Sequence, residues 1–450
     1  MARKVFISFL GTSNYLSTYY TVDGVQSKAP TRFIQEAILD SITKDWTSDD
    51  KIFIFQTKEA FNKNWKNDGH GERATEPDQR IGFKEILNKK PYSSLYQQTE
   101  HILEGFNNED IWSIFYAIYN QLEKGDEIYF DITHAFRSIP IFTNTLLNYS
   151  RVLKDVKVKK IYYGAFEKLG LPYKVSKMPI EERIAPVLDL TDIVQLQNWT
   201  MAATDFITNG KTEQISELLI ENNKKLNPKS QEIRALKNIQ LYFETGRSKL
   251  ITEGNAFVSF KQSLKSFKRK NKIKPLNKIL ERINNRIEPF KKDSLNNVEH
   301  AIEWCFEYGM YQQAITMGHE YLLTLVVTHL LGDKKAKNKN YRTAMNSFLT
   351  VENSTFENPE KWNFSLSRHS STFIPLIENE IIKILREPTS KSLTNKTPMG
   401  EFGAISDVRN QINHGGVTDN TTPDVFVSAF KKEYDKALNK IHTYINNNKK

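Results

Sequence analysis

The 450-residue chain is longer than one domain ordinarily holds, and its 39% hydrophobic and 12% aromatic content excludes an intrinsically disordered chain, so two folded domains are expected. Formal charge is +10, and the segment 261–292, with twelve basic and two acidic residues, accounts for the excess; it reads either as a polyanion-binding stripe or as a solvated lysine-rich helical face. The one cysteine, Cys305, lies between Trp304 and Phe306, which excludes an intrachain disulfide and a cysteine-built zinc site and points to a buried, inert thiol in a reducing, cytoplasmic setting.

In chain order, residues 5–10 form an apolar run too short for a signal-peptide core and read as a first strand. Further strands are expected at 51–55, 127–132 and 160–164, separated by helices near 31–44, 110–124 and 139–153. Nearly continuous apolar strands between helices imply an α/β, Rossmann-like domain with a mostly parallel sheet covered on both faces. Ligands of such sheets sit beyond the carboxyl ends of the strands.

Near Leu188 the β-rich character stops, and Thr191 is the expected N-cap of a helix with Asp192 in its first turn. Helical periodicity then covers 212–223, 230–244 and 297–331, divided by Gly254, Pro275, Pro289 and Gly332, so the second half is all-α. Loops are expected at 338–340 and 388–397, and 446–450 reads as a frayed tail. The longest apolar stretch, near 321–331, is about half a membrane span.

Two constellations carry chemistry. Arg409-Asn410-Gln411-Ile412-Asn413-His414 precedes Gly415-Gly416, a helix stop, which puts Arg409 in the last turns and His414 at the helix end. Five residues correspond to about 140° around a helix, so one copy does not align both side chains, whereas two copies about a dimer axis converge on one cleft. Metal-free RNA cleavage needs a 2′-hydroxyl to attack the adjacent phosphate. Arginine stabilises the negative charge that develops, and histidine, as a residue type, moves or positions the proton. Asn410 orients either partner. The bland alternative is a histidine and an arginine offsetting the negative end of a helix dipole.

Asp131-Ile132-Thr133-His134-Ala135-Phe136-Arg137-Ser138 ends the strand at 127–132 and opens a helix, offering hydroxyls, a phosphate clamp and free backbone N–H groups. The first strand ends similarly, in Gly11-Thr12-Ser13-Asn14-Tyr15. Neither is a dinucleotide fingerprint or a P-loop, which disfavours a nucleotide cofactor, and no metal site is expected.

The Asp-x-Thr-His-x-x-Arg run resembles the signature of CRISPR-associated CARF proteins, with Ala135 where that family usually has glycine. Gly11 to Tyr15, and Thr57 after the second strand, are similar to that family's ligand-pocket positions. Arg409-Asn410-x-x-x-His414 resembles the R-x-x-x-x-H motif of HEPN ribonucleases, and 311–331, with Ala314 and Glu320, resembles a HEPN core helix. The resemblance implies a CARF sensor at 1–187, a helical linking or inserted region at 188–298, and a HEPN domain at 299–450. It further implies a homodimer, or a higher oligomer, that binds a cyclic oligoadenylate messenger of type III CRISPR systems, with cyclic tetra-adenylate favoured over cyclic hexa-adenylate. Gly11, Thr12, Ser13, Asn14, Thr57, Thr133, His134, Arg137 and Ser138 would line the messenger site; Arg409, Asn410 and His414 would form a composite ribonuclease site.

The expected activity is messenger-activated, metal-independent cleavage of single-stranded RNA, leaving a 2′,3′-cyclic phosphate. Two matters stay open in the sequence: whether Thr12, Ser13 or His134 also lets the sensor cleave its messenger slowly, and whether the chain is instead a nucleotide-sensing regulator that binds DNA without catalysis. The latter would leave Arg409 and His414 without a role.

Overall fold

Alternation along β1 (Lys4–Leu10) sends Val5, Ile7 and Phe9 into one core and Phe6 and Leu10 into another. A strand covered on both faces requires this two-residue period. The computed structural model, which describes residues 2–74, 76–134, 139–223, 225–350, 401–415 and 422–447, places β1 in an eight-stranded sheet of order β3-β2-β8-β7-β6-β1-β4-β5. The other strands are β2 (Tyr19–Val22), β3 (Val25–Gln26), β4 (Lys51–Gln56), β5 (Tyr96–Gln97), β6 (Glu127–Asp131), β7 (Lys157–Gly164) and β8 (Ile184–Asp189). All neighbours pair in parallel except β7 with β8 and β2 with β3.

One face is covered by α4 (Asn108–Tyr119) and α5 (Ile139–Lys154), which contribute Ile114, Phe115, Ile118, Leu146 and Leu147. The other is covered by α1 (Ile34–Ile42) and α3 (Phe83–Asn88), through Ile34, Ile38, Leu39, Phe83 and Leu87. The short helices α2 (Lys58–Ala60) and α6 (Pro172–Val175) lie in connections, and α2 runs into a π-helical turn at Phe61–Trp65. The α/β, mostly parallel architecture expected from the sequence is present.

The chain divides into two compact units, 1–197 and 198–450, within α7 (Thr191–Asn209). Thr191 was expected to cap this helix; instead the helix starts there, and the Asp189 carboxylate accepts the Thr191 N–H at 3.0 Å. The Thr191 hydroxyl accepts the Ile161 N–H at 3.0 Å, so it serves the sheet. A carboxylate is the stronger partner for the positive end of a helix.

The second unit is helical: α8 (Glu213–Glu221), α9 (Gln231–Glu244), α10 (Ser248–Glu253), α11 (Asn255–Lys270), α12 (Leu276–Ile287), α13 (Asn296–Glu307), α14 (Tyr311–Leu331), α15 (Asp333–Ala336), α16 (Lys339–Thr350), α17 (Glu401–Asn413) and α18 (Pro423–Asn447). The single run expected over 297–331 is broken at Gly309, whose φ of +75° ends α13. A loop was expected at 338–340, but α16 already begins at Lys339. The loop expected at 388–397 and the tail residues 448–450 lie outside the described residues, while α18 continues to Asn447. Phe243, Phe257, Phe290 and Trp304 form an aromatic core, and the adjacent Cys305 is fully buried, its thiol pushed up to about 12 by burial. Among the described residues only α14 is long and apolar enough to cross a membrane, and most of it is buried in the unit, as in a core helix.

Candidate ligand site at the strand ends and candidate catalytic helix end

The sheet order makes β6, β1 and β4 neighbours, so their carboxyl ends bring Ile132-Thr133-His134, Gly11-Thr12-Ser13-Asn14 and Thr57 to one edge. Gly11 donates its N–H to the Tyr15 hydroxyl at 2.9 Å, and a Cβ built on Gly11 would stand 2.5 Å from that oxygen. A side chain at this position would push the Tyr15 hydroxyl aside. Tyr15 folds back over the turn and stacks on His134, with ring centroids 4.3 Å apart. Thus two motifs separated by more than a hundred residues share one stacked pair.

Asn64, on the π-helical turn, donates to the carbonyls of Gly11 (2.8 Å) and Ser13 (2.9 Å) and fixes the turn. Its own oxygen faces Arg32 Nη2 at 3.3 Å and His70 Nε2 at 3.0 Å. Arg32 also reaches the Tyr15 carbonyl at 3.2 Å. No local motif marks Asn64, Arg32 or His70; the π-turn is the one local signal, since such turns gather at functional sites.

Asp131 is fully buried, and burial pushes its carboxyl pKa up against the opposing hydrogen bonds of Thr133 and Ser8. Its carboxylate accepts the Thr133 N–H at 3.0 Å, the Thr133 hydroxyl at 2.5 Å and the Ser8 hydroxyl at 2.7 Å. The Thr133 hydroxyl also accepts the Gly164 N–H at 2.8 Å, so Asp131 and Thr133 stitch β6 to β7. Thr57 accepts the Ala60 N–H at 3.2 Å and caps α2. In contrast, the Thr12 and Ser13 side chains form no hydrogen bond among the described residues, and Ser13 is exposed. Arg137 and Ser138 lie outside the described residues.

Three polar atoms at these strand ends are buried without a partner among the described residues: Asn14 Oδ1, Gln56 Oε1 and His134 Nε2. Buried polar groups ordinarily find partners, so three orphans at adjacent strand ends mark where a polar ligand would supply them. Burial lowers the His134 pKa to about 4, which keeps the imidazole neutral and able to donate or accept one hydrogen bond. Gln56, the last residue of β4, is a candidate the sequence reading did not single out.

In the second unit, α17 ends at Asn413, and Gly415 at φ +74° closes it with its N–H on the Ile412 carbonyl at 3.3 Å. His414 and Asn410 are exposed; Arg409 is half-buried, with its Nε unpartnered among the described residues. One turn earlier, the Ser406 hydroxyl meets buried His319 Nε2 at 2.9 Å, which pins α17 to α14. Glu320 pairs with Arg342 at 2.5 Å, and its pKa falls to about 2 through the His319 hydrogen bond and then Arg342. Ala314 is fully buried on α14. An exposed histidine and a neighbouring guanidinium on one helix end can act on an external phosphodiester.

Residues 5–167 match the family model described as "CRISPR system endoribonuclease Csx1, CARF domain". A stretch of 132 residues is 37% identical to the CRISPR-associated protein MJ1674 of Methanocaldococcus jannaschii, covering 29% of this chain and 19% of that protein; the match spans about one fifth of the relative's length. The strand-end site lies within the matched residues, and these likenesses show that the first unit contains a CARF domain similar to those of CRISPR-associated proteins.

Proposed function

We propose that this protein is a cyclic-oligoadenylate-activated, metal-independent endoribonuclease of type III CRISPR defence, acting on single-stranded RNA as a cytoplasmic homodimer. One observation carries the reading: a unit similar to the CARF domain of a CRISPR endoribonuclease is followed, in the same chain, by an exposed helix end bearing Arg409, Asn410 and His414. The messenger binds at the ends of β1, β4 and β6, where Thr12 and Ser13 offer hydroxyls and Asn14, Gln56 and His134 offer orphaned polar atoms. Arg137 and Ser138 complete its phosphate contacts. Gly11, Thr57 and Thr133 shape the pocket, because their backbone or hydroxyl groups are engaged within the protein.

In the HEPN domain, Arg409 from each copy holds the scissile phosphate, His414 manages the proton of the attacking 2′-hydroxyl or of the leaving 5′-oxygen, and Asn410 orients them. Attack by the 2′-oxygen on phosphorus breaks the P–O5′ bond and leaves a 2′,3′-cyclic phosphate and a 5′-hydroxyl. An exposed apolar face on α4 and α5, with Trp112 57%, Val152 73% and Leu153 54% exposed, supports pairing of the sensor units. The messenger switches activity to the extent that it binds the active dimer more tightly than the inactive one. End-group analysis of RNA cleaved in EDTA tests the chemistry: cyclic phosphate and 5′-hydroxyl ends are expected, whereas 5′-phosphate ends or chelator inhibition would refute it.

A further inference from the structure

Of the twelve basic residues in 261–292, the fold uses three. Lys261 caps the Glu288 and Phe290 carbonyls at 2.8 and 2.7 Å, Lys268 pairs with Glu281 at 2.6 Å, and Arg286 pairs with Glu307 while lying over Trp304. The other nine are exposed and form no ion pair among the described residues. Seven of these, Lys265, Arg269, Lys270, Lys272, Lys274, Lys278 and Arg282, crowd the tip of the hairpin formed by α11 and α12.

The hairpin itself is well built. Phe257, Phe260 and Leu264 on α11 and Leu280, Ile283 and Ile287 on α12 are buried, which turns the remaining faces outward. The Lys268–Glu281 pair marks the outer seam. Lys265 lies three residues from Lys268 on α11, and Lys278 lies three from Glu281 on α12, so helical geometry places both beside that seam. Asn271 donates to the Ile273 carbonyl at 2.8 Å and accepts its N–H at 3.0 Å, which closes the turn at the tip. A rigid turn thus presents a row of cations that repel one another unless a polyanion neutralises them. All seven tip cations are point or planar donors, and no large aromatic side chain at the tip is exposed as a stacking platform, so the recognition is of a phosphate backbone rather than of bases.

We propose that the tip of this hairpin is a docking surface for the phosphate backbone of single-stranded RNA, separate from the Arg409–His414 helix end. The choice of RNA rests on the ribonuclease reading; the anionic backbone rests on the hairpin alone. α11 packs on α9 and α12, whereas α17 packs on α14, α16 and α18, so the tip bears on RNA capture and not on the chemical step.

The test uses the full-length protein and a fluorescein-labelled uridine oligonucleotide of about 20 nucleotides, with anisotropy read across a salt series in EDTA. The triple variant Lys274→Glu/Lys278→Glu/Arg282→Glu is compared with Lys84→Glu/Lys168→Glu/Lys177→Glu, which makes the same net-charge change at exposed positions of the first unit. The tip variant should bind at least about tenfold more weakly at low salt, with a salt slope lower by roughly 2, about 0.7 for each phosphate left unneutralised. Its KM for cleavage should rise while kcat is retained. Thermal melting checks that both variants fold, and a Gln triple at the tip should show a smaller loss of the same kind. Equal weakening by both Glu triples, or unchanged affinity at the tip, would overturn the docking surface. So would a tip that binds anionic vesicles and leaves RNA affinity unaltered. Each of these outcomes leaves the His414 test of the ribonuclease reading untouched.

Discussion

At the strand ends of the first unit the turn and the ring stack are held by the protein's own contacts before any ligand arrives, with Asn64 holding two carbonyls of the Gly11 turn and Tyr15 stacked on His134. At the end of α17, Asn410 and His414 stand in solvent, and only Ser406, a turn earlier, is tied down by another helix. A pocket of the first kind is preorganised by tertiary contacts and suits selective binding of a small, symmetric ligand. A helix end of the second kind leaves its side chains open to an external partner, as the proposed pairing with a second copy requires. The two regions therefore answer to different perturbations.

The largest effect should come at the helix end. His414→Ala should lower messenger-activated cleavage by roughly 10²–10⁴-fold, with messenger affinity, read by calorimetry, unchanged. Loss of messenger binding in this variant would erase the distinction between the regions. Next, Asn64→Leu should cost about 3 kcal/mol in urea unfolding of the first unit, because the Gly11 and Ser13 carbonyls are deprived of their donor and Arg32 and His70 of their acceptor. No change in stability would mean that the turn does not depend on it.

The third effect is a pH dependence. His134 keeps its proton off until about pH 4 in the folded chain but takes it up near the ordinary 6.5 when unfolded. The unfolded state therefore binds more protons between these values. The contribution is fully present above about pH 6.5 and is lost as pH falls towards 4, by roughly 2–3 kcal/mol. Asp131 works in the opposite sense, so the measurement is the difference between wild type and His134→Gln at pH 7 and pH 5; equal slopes would place His134 outside the buried stack. Smallest, Gly11→Ala should cost about 1–2 kcal/mol by displacing Tyr15 and should weaken messenger binding about tenfold, while helix-end chemistry on saturating messenger is retained.

The same contrast governs what was legible in the sequence. β1, β4, β6 and β7 were readable because buried central strands are long apolar runs, and the residues following three of them converge at the strand-end site. β2, β3 and β5 have four residues or fewer, and β8 carries Pro186 and exposed positions on both faces, so none shows a run or a clean alternation. The end of α17 was legible because glycine after a helical run is a local signal. Asn64 and Gln56 were not: their roles come from strands and turns brought together in space, and nothing in their sequence neighbours announces it. The break at Gly309 was missed because the apolar spacing on either side stays helical.

The central claim is that ligand binding in the first unit governs RNA cleavage in the second. Cleavage of a fluorescent single-stranded RNA in EDTA, measured without messenger and with cyclic tetra-adenylate or cyclic hexa-adenylate, tests it most directly. The account predicts low basal cleavage and strong activation by one ring, cyclic tetra-adenylate, with none by linear adenylate. Cleavage indifferent to every ring, or no cleavage under any of them, would contradict it.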